Sequence, residues 1–250
     1  MILGVIQARM ASTRFPGKVL KTLLGEPMLM RQLERVQNSK RLEKILVASS
    51  TDAADDAIED LCKKRGFRCF RGDHEDVLDR FYRAASSQEA DHVVRLTGDC
   101  PLSDPVLIDD IIRFYLEGGY DYAGNVTEPT FPDGLDVEVF NREALEKAWQ
   151  DSNLPSQREH VTPYIYQNPR LFKIGSFKNR VDLSDLRWTV DEVPDFELIT
   201  KIFAALYPKN PRFGMEDTLK FLARNPELKQ VNTKYRRNEG YLKSLARDKP

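Results

Sequence analysis

At 250 residues, with 41% hydrophobic and 10% aromatic side chains, the chain is long enough to bury one sizeable core, and no linker-like stretch divides it. Its 38 basic and 39 acidic residues nearly cancel, which excludes a general nucleic-acid binder and leaves any anion site to a local cluster. Cys62, Cys69 and Cys100 form neither a CxxC pair nor an even disulfide set, no stretch approaches the roughly 18 apolar residues of a membrane span, and the first apolar run is too short for a signal peptide; the chain reads as cytoplasmic, with no membrane partner.

In chain order, short apolar runs alternate with amphipathic segments: a strand at 2–6, a helix at 28–36, a strand at 44–48, helices at 54–65 and 76–87, a buried strand at 92–96, and a helix at 105–116 with Asp104 as its cap. This βαβα grammar predicts an α/β fold of three layers, a mostly parallel mixed sheet with helices on both faces. After Gly118-Gly119 the pattern predicts strands at 120–124 and 136–140 around a Pro- and Gly-bearing loop, helices at 142–150 and 157–166, strands at 172–177 and 187–190, and helices at 196–206 and 215–223. The main domain is expected over 1–225, followed by a charged C-terminal extension, 226–250; its last part, from 234, reads as either an outer helix or a frayed end.

The segment from Gln7 to Lys18 directly follows the first strand, at the carboxyl edge where open α/β sheets bind ligands. Its small residues let backbone amides curl around an anion, and Arg9, Arg14 and Lys18 bring three cations to one loop. Three scattered cations are also what a solvated basic loop looks like; the placement after a buried strand favours the anion site. Gly17-Lys18 is followed by Val19 rather than Ser or Thr, so the loop is not a P-loop, and no GxGxxG dinucleotide fingerprint is present.

The run Val5-Ile6-Gln7-Ala8-Arg9-Met10-Ala11-Ser12-Thr13-Arg14-Phe15-Pro16-Gly17-Lys18 resembles the opening motif of the CMP-sugar synthetases, above all their spore-coat polysaccharide and CMP-Kdo branches, and the likeness runs to about Leu206. The resemblance implies a Rossmann-like nucleotidyltransferase fold, CTP as substrate, a magnesium requirement and a homodimer. It assigns Ala8, Arg9, Met10, Ser12, Arg14 and Lys18 to the nucleotide, with Arg14 and Lys18 catalytic.

Leu96-Thr97-Gly98-Asp99 follows the strongest buried strand, so Asp99 should emerge beside the basic loop, with Gly98 letting substrate approach the backbone. Asp99 suits magnesium, which takes one or two protein carboxylates; an Asp two residues before Pro101 also suits a turn. The resemblance favours metal, places Thr97, Gly98 and Asp99 on the nucleotide with Asp99 catalytic, and makes Asp191 of Asp191-Glu192-Val193-Pro194-Asp195 the second ligand. Asp195 is expected to cap the following helix. Cys100 stands where the Kdo enzymes tend to carry Glu, which loosens any assignment of the sugar.

Candidates for the acceptor are Arg71, Asp73, Asp79 and Arg80; Asn125, Asp133, Asp136 and Glu138, the last two sharing one face of an alternating strand; and Arg158-Glu159-His160, which resembles an element of the spore-coat branch. The substrate-binding set is Arg71, Asn125, Asp136, Glu138, Arg158 and His160. His74 and His92 lack HExxH spacing and suggest no zinc site. The expected activity is CMP transfer from CTP to a sugar or sugar acid with release of pyrophosphate, for surface polysaccharide or glycan synthesis. A sugar-phosphate pyrophosphorylase and a silent nucleotide-binding protein are the alternatives.

Overall fold

The computed structural model describes residues 1–248; the last two of the expected C-terminal extension, 249 and 250, lie outside the described residues. The chain opens with β1 (Ile2–Gln7), a small hairpin of β2 (Thr22–Leu23) and β3 (Glu26–Pro27), and α1 (Met28–Val36). It continues through β4 (Lys44–Ser50), α2 (Asp56–Lys64), β5 (Arg68–Gly72), α3 (Val77–Ser86), β6 (His92–Thr97) and α4 (Pro105–Gly118). Then follow β7 (Tyr122–Gly124), β8 (Glu138–Asn141), α5 (Arg142–Asp151), α6 (Pro155–His160), α7 (Pro163–Tyr166) and β9 (Ile174–Ser176). The last elements are α8 (Val193–Leu206), α9 (Met215–Arg224) and α10 (Glu239–Arg247).

Seven strands form one sheet in the order β5-β4-β1-β6-β8-β7-β9. The first four are parallel, β8 runs antiparallel to both β6 and β7, and β7 and β9 are parallel again, giving the mixed sheet that the apolar pattern implied. Strand periodicity divides the core. Leu3 and Val5 of β1, Leu46 and Ala48 of β4 and Val93 of β6 face α3 and α5, while Ile6, Val47, Val94 and Leu96 face the opposite layer of α1, α2, α4, α8 and α9.

After β5 the chain crosses back to place β6 on the other side of β1, so strand order reverses between β1 and β6. At such a switch point the loops leaving two adjacent strands diverge and open a crevice at the carboxyl edge. The loop after β1 and the Gly98-Asp99 turn after β6 both lie there. Gly98 is tied to that junction: its amide donates to the Gln7 carbonyl at 2.8 Å, and a Cβ would meet that oxygen at 2.8 Å and the Ala8 Cβ at 3.0 Å. The residue is small for packing between the two loops, a reason distinct from the expected approach of a substrate.

Three elements depart from the sequence reading. β5 carries two arginines and a glycine in five residues, so it shows no apolar run; it is an edge strand, where one-sided exposure permits this. The helix expected at 157–166 is broken between α6 and α7, because Val161 takes a φ of 72° and Pro163 starts a new turn. The strand expected at 187–190 reduces to one bridge between Asp133 and Arg187. Asp104 caps α4 as anticipated, its carboxylate accepting the Val106 amide at 2.9 Å.

Candidate active site

The loop after β1 is held open by its own backbone. Ala8 donates to the Ala48 carbonyl, the Met10 amide to Asp55 Oδ1 at 2.6 Å, and Gly17, with a φ of 68°, returns an amide to the Met10 carbonyl at 3.0 Å. That left-handed glycine starts a short turn of 3-10 helix over Lys18–Leu20 and turns the Lys18 side chain inward.

Lys18 is 8% exposed, and its ammonium lies 2.8 Å from Asp99 Oδ2 and 2.8 Å from Asp191 Oδ1. Burial opposes its charge, yet Asp99 and then Asp191 outweigh that, and its pKa is raised. For Asp99, burial alone would push the carboxyl up; the Lys18 ammonium overcomes it and brings the group down to about 2. Arg14 reaches the same place, 3.0 Å from Asp191 Oδ1, and spreads its remaining contacts over Glu192 at 3.4 Å and Glu239 at 3.2 Å.

Behind Asp191 stands Arg187, whose guanidinium is shared among Asp133 and Asp191 at 2.9 Å each and Asp195 at 3.1 Å. Asp195 is fully buried and accepts the Asp191 and Glu192 amides at 2.9 Å, capping α8 and fixing the turn that presents Asp191.

Two cavities meet at this network. The first, about 320 Å³, is lined by Ala8, Arg9, Ser12, Arg14, Lys18, Thr97, Gly98 and Asp99, and by Ala11 and Thr13, which sequence reading had passed over. Arg80 lines it too, although the sequence grouped it with the acceptor candidates. Its side chain is 1% exposed, one nitrogen donates to the Asp73 carbonyl at 2.7 Å, and Nε has no partner among the described residues. Burial, and then the neighbouring Arg9, lower its pKa to about 10. The second cavity, about 480 Å³, shares Arg14, Thr97, Asp99, His160 and Asp191 with the first and extends to Arg95, Asp133, Asp136 and Glu138.

His160 faces both cavities, with Nε2 3.0 Å from Ser244 Oγ of α10 and its ring edge-on to Tyr241; burial, then Arg95, lower its pKa to about 4. Glu138 pairs with Arg95 and accepts from the Tyr122 and Thr162 hydroxyls at 2.7 and 2.6 Å. Asp136 pairs with Arg237. α10, in the charged C-terminal stretch, closes one side of both cavities through Gly240, and adds Lys243 and Arg247 to the first and Tyr241 to the second.

Not every expected residue reaches this crevice. Met10 turns its amide to Asp55 and its methyl toward Gly17, outside the lining of either cavity. Arg71 is spent on the Ser50 and Asp52 carbonyls and on Asp56 and Glu59, bracing β5 against the α2 side. Asn125 is wholly buried and bridges the backbone of Leu135 and Val137 at 2.8 and 2.9 Å. Arg158 pairs with Asp76 and donates to the Trp149 carbonyl, tying α6 to α3 and α5. Asp79 accepts from the Trp149 indole and pairs with Arg83, and Asp73 accepts the Glu75 and Asp76 amides. In each case a nearby partner satisfies the polar group, and Arg71, Asn125 and Arg158 line neither cavity.

Asp99 and Asp191 also answer whether the residues fit a divalent ion. Among the described residues no cluster of three or more ligating side chains exists, but magnesium usually takes only one or two protein carboxylates and completes its shell with phosphate and water. Two carboxylates that converge on one ammonium, one of them ionised down to about pH 2, have the charge and hardness for it.

Comparison with known proteins identifies what the chain resembles. The family model described as cytidylyltransferase matches residues 3–238. The spore coat polysaccharide biosynthesis protein SpsF of Bacillus subtilis is 36% identical, covering 90% of this chain and 95% of its own. A cytidylyltransferase structure from Leptospira borgpetersenii superposes with a TM-score of 0.88 at 34% identity, over 94% of this chain and 99% of that one. The 3-deoxy-manno-octulosonate cytidylyltransferase of Pelobacter propionicus is 35% identical over a shorter span, 46% of this chain and 45% of its own.

Proposed function

Because the chain belongs to the cytidylyltransferase family, with its Rossmann-like nucleotidyltransferase fold, we propose that it transfers CMP from CTP to a hydroxyl of a sugar or sugar acid, releasing pyrophosphate for surface polysaccharide or glycan synthesis. The observation that carries this reading is the bridge of Lys18 between Asp99 and Asp191, placed where the two cavities join.

The first cavity takes the nucleotide. Arg9, Arg14, Lys18 and Arg80 supply its cations, and the curled loop from Ala8 to Thr13 supplies backbone donors for the phosphates. Asp99 and Asp191 would hold magnesium, which would supply neutralisation of phosphate charge. Lys18 keeps the two carboxylates together and sits beside the phosphate path, where its ammonium stabilises the departing pyrophosphate. The acceptor enters from the second cavity, so its hydroxyl meets the α-phosphate at the shared wall of Thr97, Asp99 and Asp191. No side chain stands out as a general base; His160, with its pKa at about 4, is neutral at pH 7. Positioning and charge neutralisation carry the rate, as in other phosphoryl transfers.

Thermal shift with CTP, UTP, ATP and GTP, each with magnesium, followed by pyrophosphate release against a panel of neutral, amino and acidic sugars, tests the reading. A CTP-selective stabilisation with release on one class of sugar is expected. Equal response to all four nucleotides, or silence across the panel, contradicts it.

A further inference from the structure

We propose that the C-terminal helix α10 is part of the nucleotide site, with Lys243 and Arg247 receiving the phosphates of CTP that leave as pyrophosphate. The inference rests on the CMP-transfer reading and adds residues to its nucleotide site. The helix starts at Glu239, directly after the stretch matched to the family.

Gly240, Lys243, Ser244 and Arg247 recur at the i, i+3, i+4, i+7 spacing that places side chains on one helical face, and all four line the first cavity. Tyr241 lines the second cavity and Gly240 lines both, so the helix runs from the shared wall along the first, a length of about 10 Å between Gly240 and Arg247. The transfer reading puts the α-phosphate at that wall, and the two cations lie beyond it. Lys243 and Arg247 offer positive charge, which suits the outer phosphates and gains nothing from a base or a ribose.

Core packing does not explain where the helix sits. Of its nine residues only Ser244 is buried, and Leu242 is 57% exposed. Polar contacts dock it instead. Ser244 donates to Glu159 at 2.6 Å and lies 3.0 Å from His160 Nε2, the Ser156 amide donates to Asp248 at 2.9 Å, and Gln167 donates to the Tyr241 hydroxyl at 2.8 Å. These contacts fix the lining face against α6 and leave Lys243 and Arg247 reaching toward the cavity.

The first cavity keeps a cationic surplus after its internal pairs are counted. Lys18 is shared by Asp99 and Asp191, and Arg14 by Asp191, Glu192 and Glu239. Magnesium on Asp99 and Asp191 would add to the positive charge there. Arg9, Arg80 and Lys243 have no carboxylate partner among the described residues, and they reach the cavity from three elements, the loop after β1, α3 and α10. Arg247 has Glu159 at 3.6 Å, and that carboxylate also holds the Ser244 hydroxyl, so Arg247 can turn to a phosphate without leaving the acid bare.

Calorimetric titration of CTP, CMP and inorganic pyrophosphate, each with magnesium, into the full-length protein and into the double variant Lys243→Met with Arg247→Met tests the assignment. Both side chains are exposed, so the variant is expected to keep its melting temperature. CTP and pyrophosphate are expected to bind about tenfold more weakly at low salt, a gap that narrows at high salt, while CMP affinity changes by less than about twofold. In turnover the loss falls mainly on the KM for CTP, and Lys243→Arg with Arg247→Lys, which keeps both charges, restores most of it. Unchanged affinity for CTP and pyrophosphate, an equal loss for CMP, or a gap indifferent to salt would each overturn the proposal. A wild-type protein that binds no CTP defeats the transfer reading instead, and pyrophosphate then still reads the two cations; pyrophosphate that binds neither protein overturns the proposal as well.

Discussion

The ammonium of Lys18 lies 2.8 Å from Oδ2 of Asp99, although 81 residues separate the two in the chain. The contact joins the loop after β1 to the turn after β6, the two strands between which the order of the sheet reverses. Replacing Lys18 by Met leaves Asp99 and Asp191 facing each other without the shared cation. Stability is expected to fall by roughly 3 kcal/mol, the low end for breaking a buried pair because both carboxylates keep some contact with water. Magnesium is expected to restore part of the loss by supplying positive charge to the same carboxylates, which chemical denaturation with and without the ion measures. Turnover should fall about 100-fold or more, since an electrostatic partner of the leaving group is removed.

Arg80 offers a contrasting case, a buried cation with no carboxylate partner among the described residues. Its burial penalises the folded state, so Arg80→Met, which keeps the aliphatic stem, is expected to hold or raise the melting temperature. The same change should raise the KM for CTP about tenfold, the cost of one charge-assisted contact. A stabilised protein with unaltered KM would show that Arg80 has no part in nucleotide binding.

Gly98→Ala tests the junction itself. The new methyl meets the Gln7 carbonyl at 2.8 Å, and backbone cannot give way as a flexible side chain can. A loss of about 1–3 kcal/mol is expected from overpacking, together with reduced turnover because Asp99 is displaced. Gly66→Ala is a poor control, since its φ of 74° carries its own strain; Gly240→Ala, with open space around it, controls for stability alone, because Gly240 lines both cavities.

For His160 the folded pKa of about 4 lies below the ordinary value of 6.5, so the folded state resists protonation more than the unfolded chain does. Its contribution to stability is present above pH 6.5 and is lost as pH falls from there toward 4. Asp99 acts lower, its contribution surviving until pH drops below its ordinary 3.8 toward 2. Denaturation curves between pH 7 and 4 should therefore flatten in His160→Gln, and a slope equal to wild type would rule out this assignment.

How far the sequence alone reached follows the physics of each residue. The loop after β1 and Asp99 were legible because each directly follows an apolar strand that the sheet carries to one edge, while Asp191 was read from a family-like element and is held beside them by Arg187 and Asp195. Arg71, Asn125 and Arg158 line neither cavity, and the sequence could not signal this for the same reason in each case. A polar side chain near a ligand site and one that satisfies a backbone carbonyl or neighbouring acid have the same appearance in one dimension. Arg80 was read with the acceptor group rather than with the nucleotide, and Arg95 and the cavity-facing side of α10 gave no usable signal. They come from an ordinary amphipathic helix, a buried strand and a charged terminal stretch, and only the packing of α3, β6 and α10 around β1 shows what they face.

The account turns on Asp99 and Asp191 forming one ion site with the nucleotide. Manganese titration of the CTP-loaded protein, read by electron paramagnetic resonance, measures that site directly in wild type, Asp99→Asn and Asp191→Asn. Each substitution is expected to weaken ion binding about tenfold or more, since removing a ligand costs at least what disturbing its supporting shell does. Wild-type manganese affinity in either variant would contradict the site.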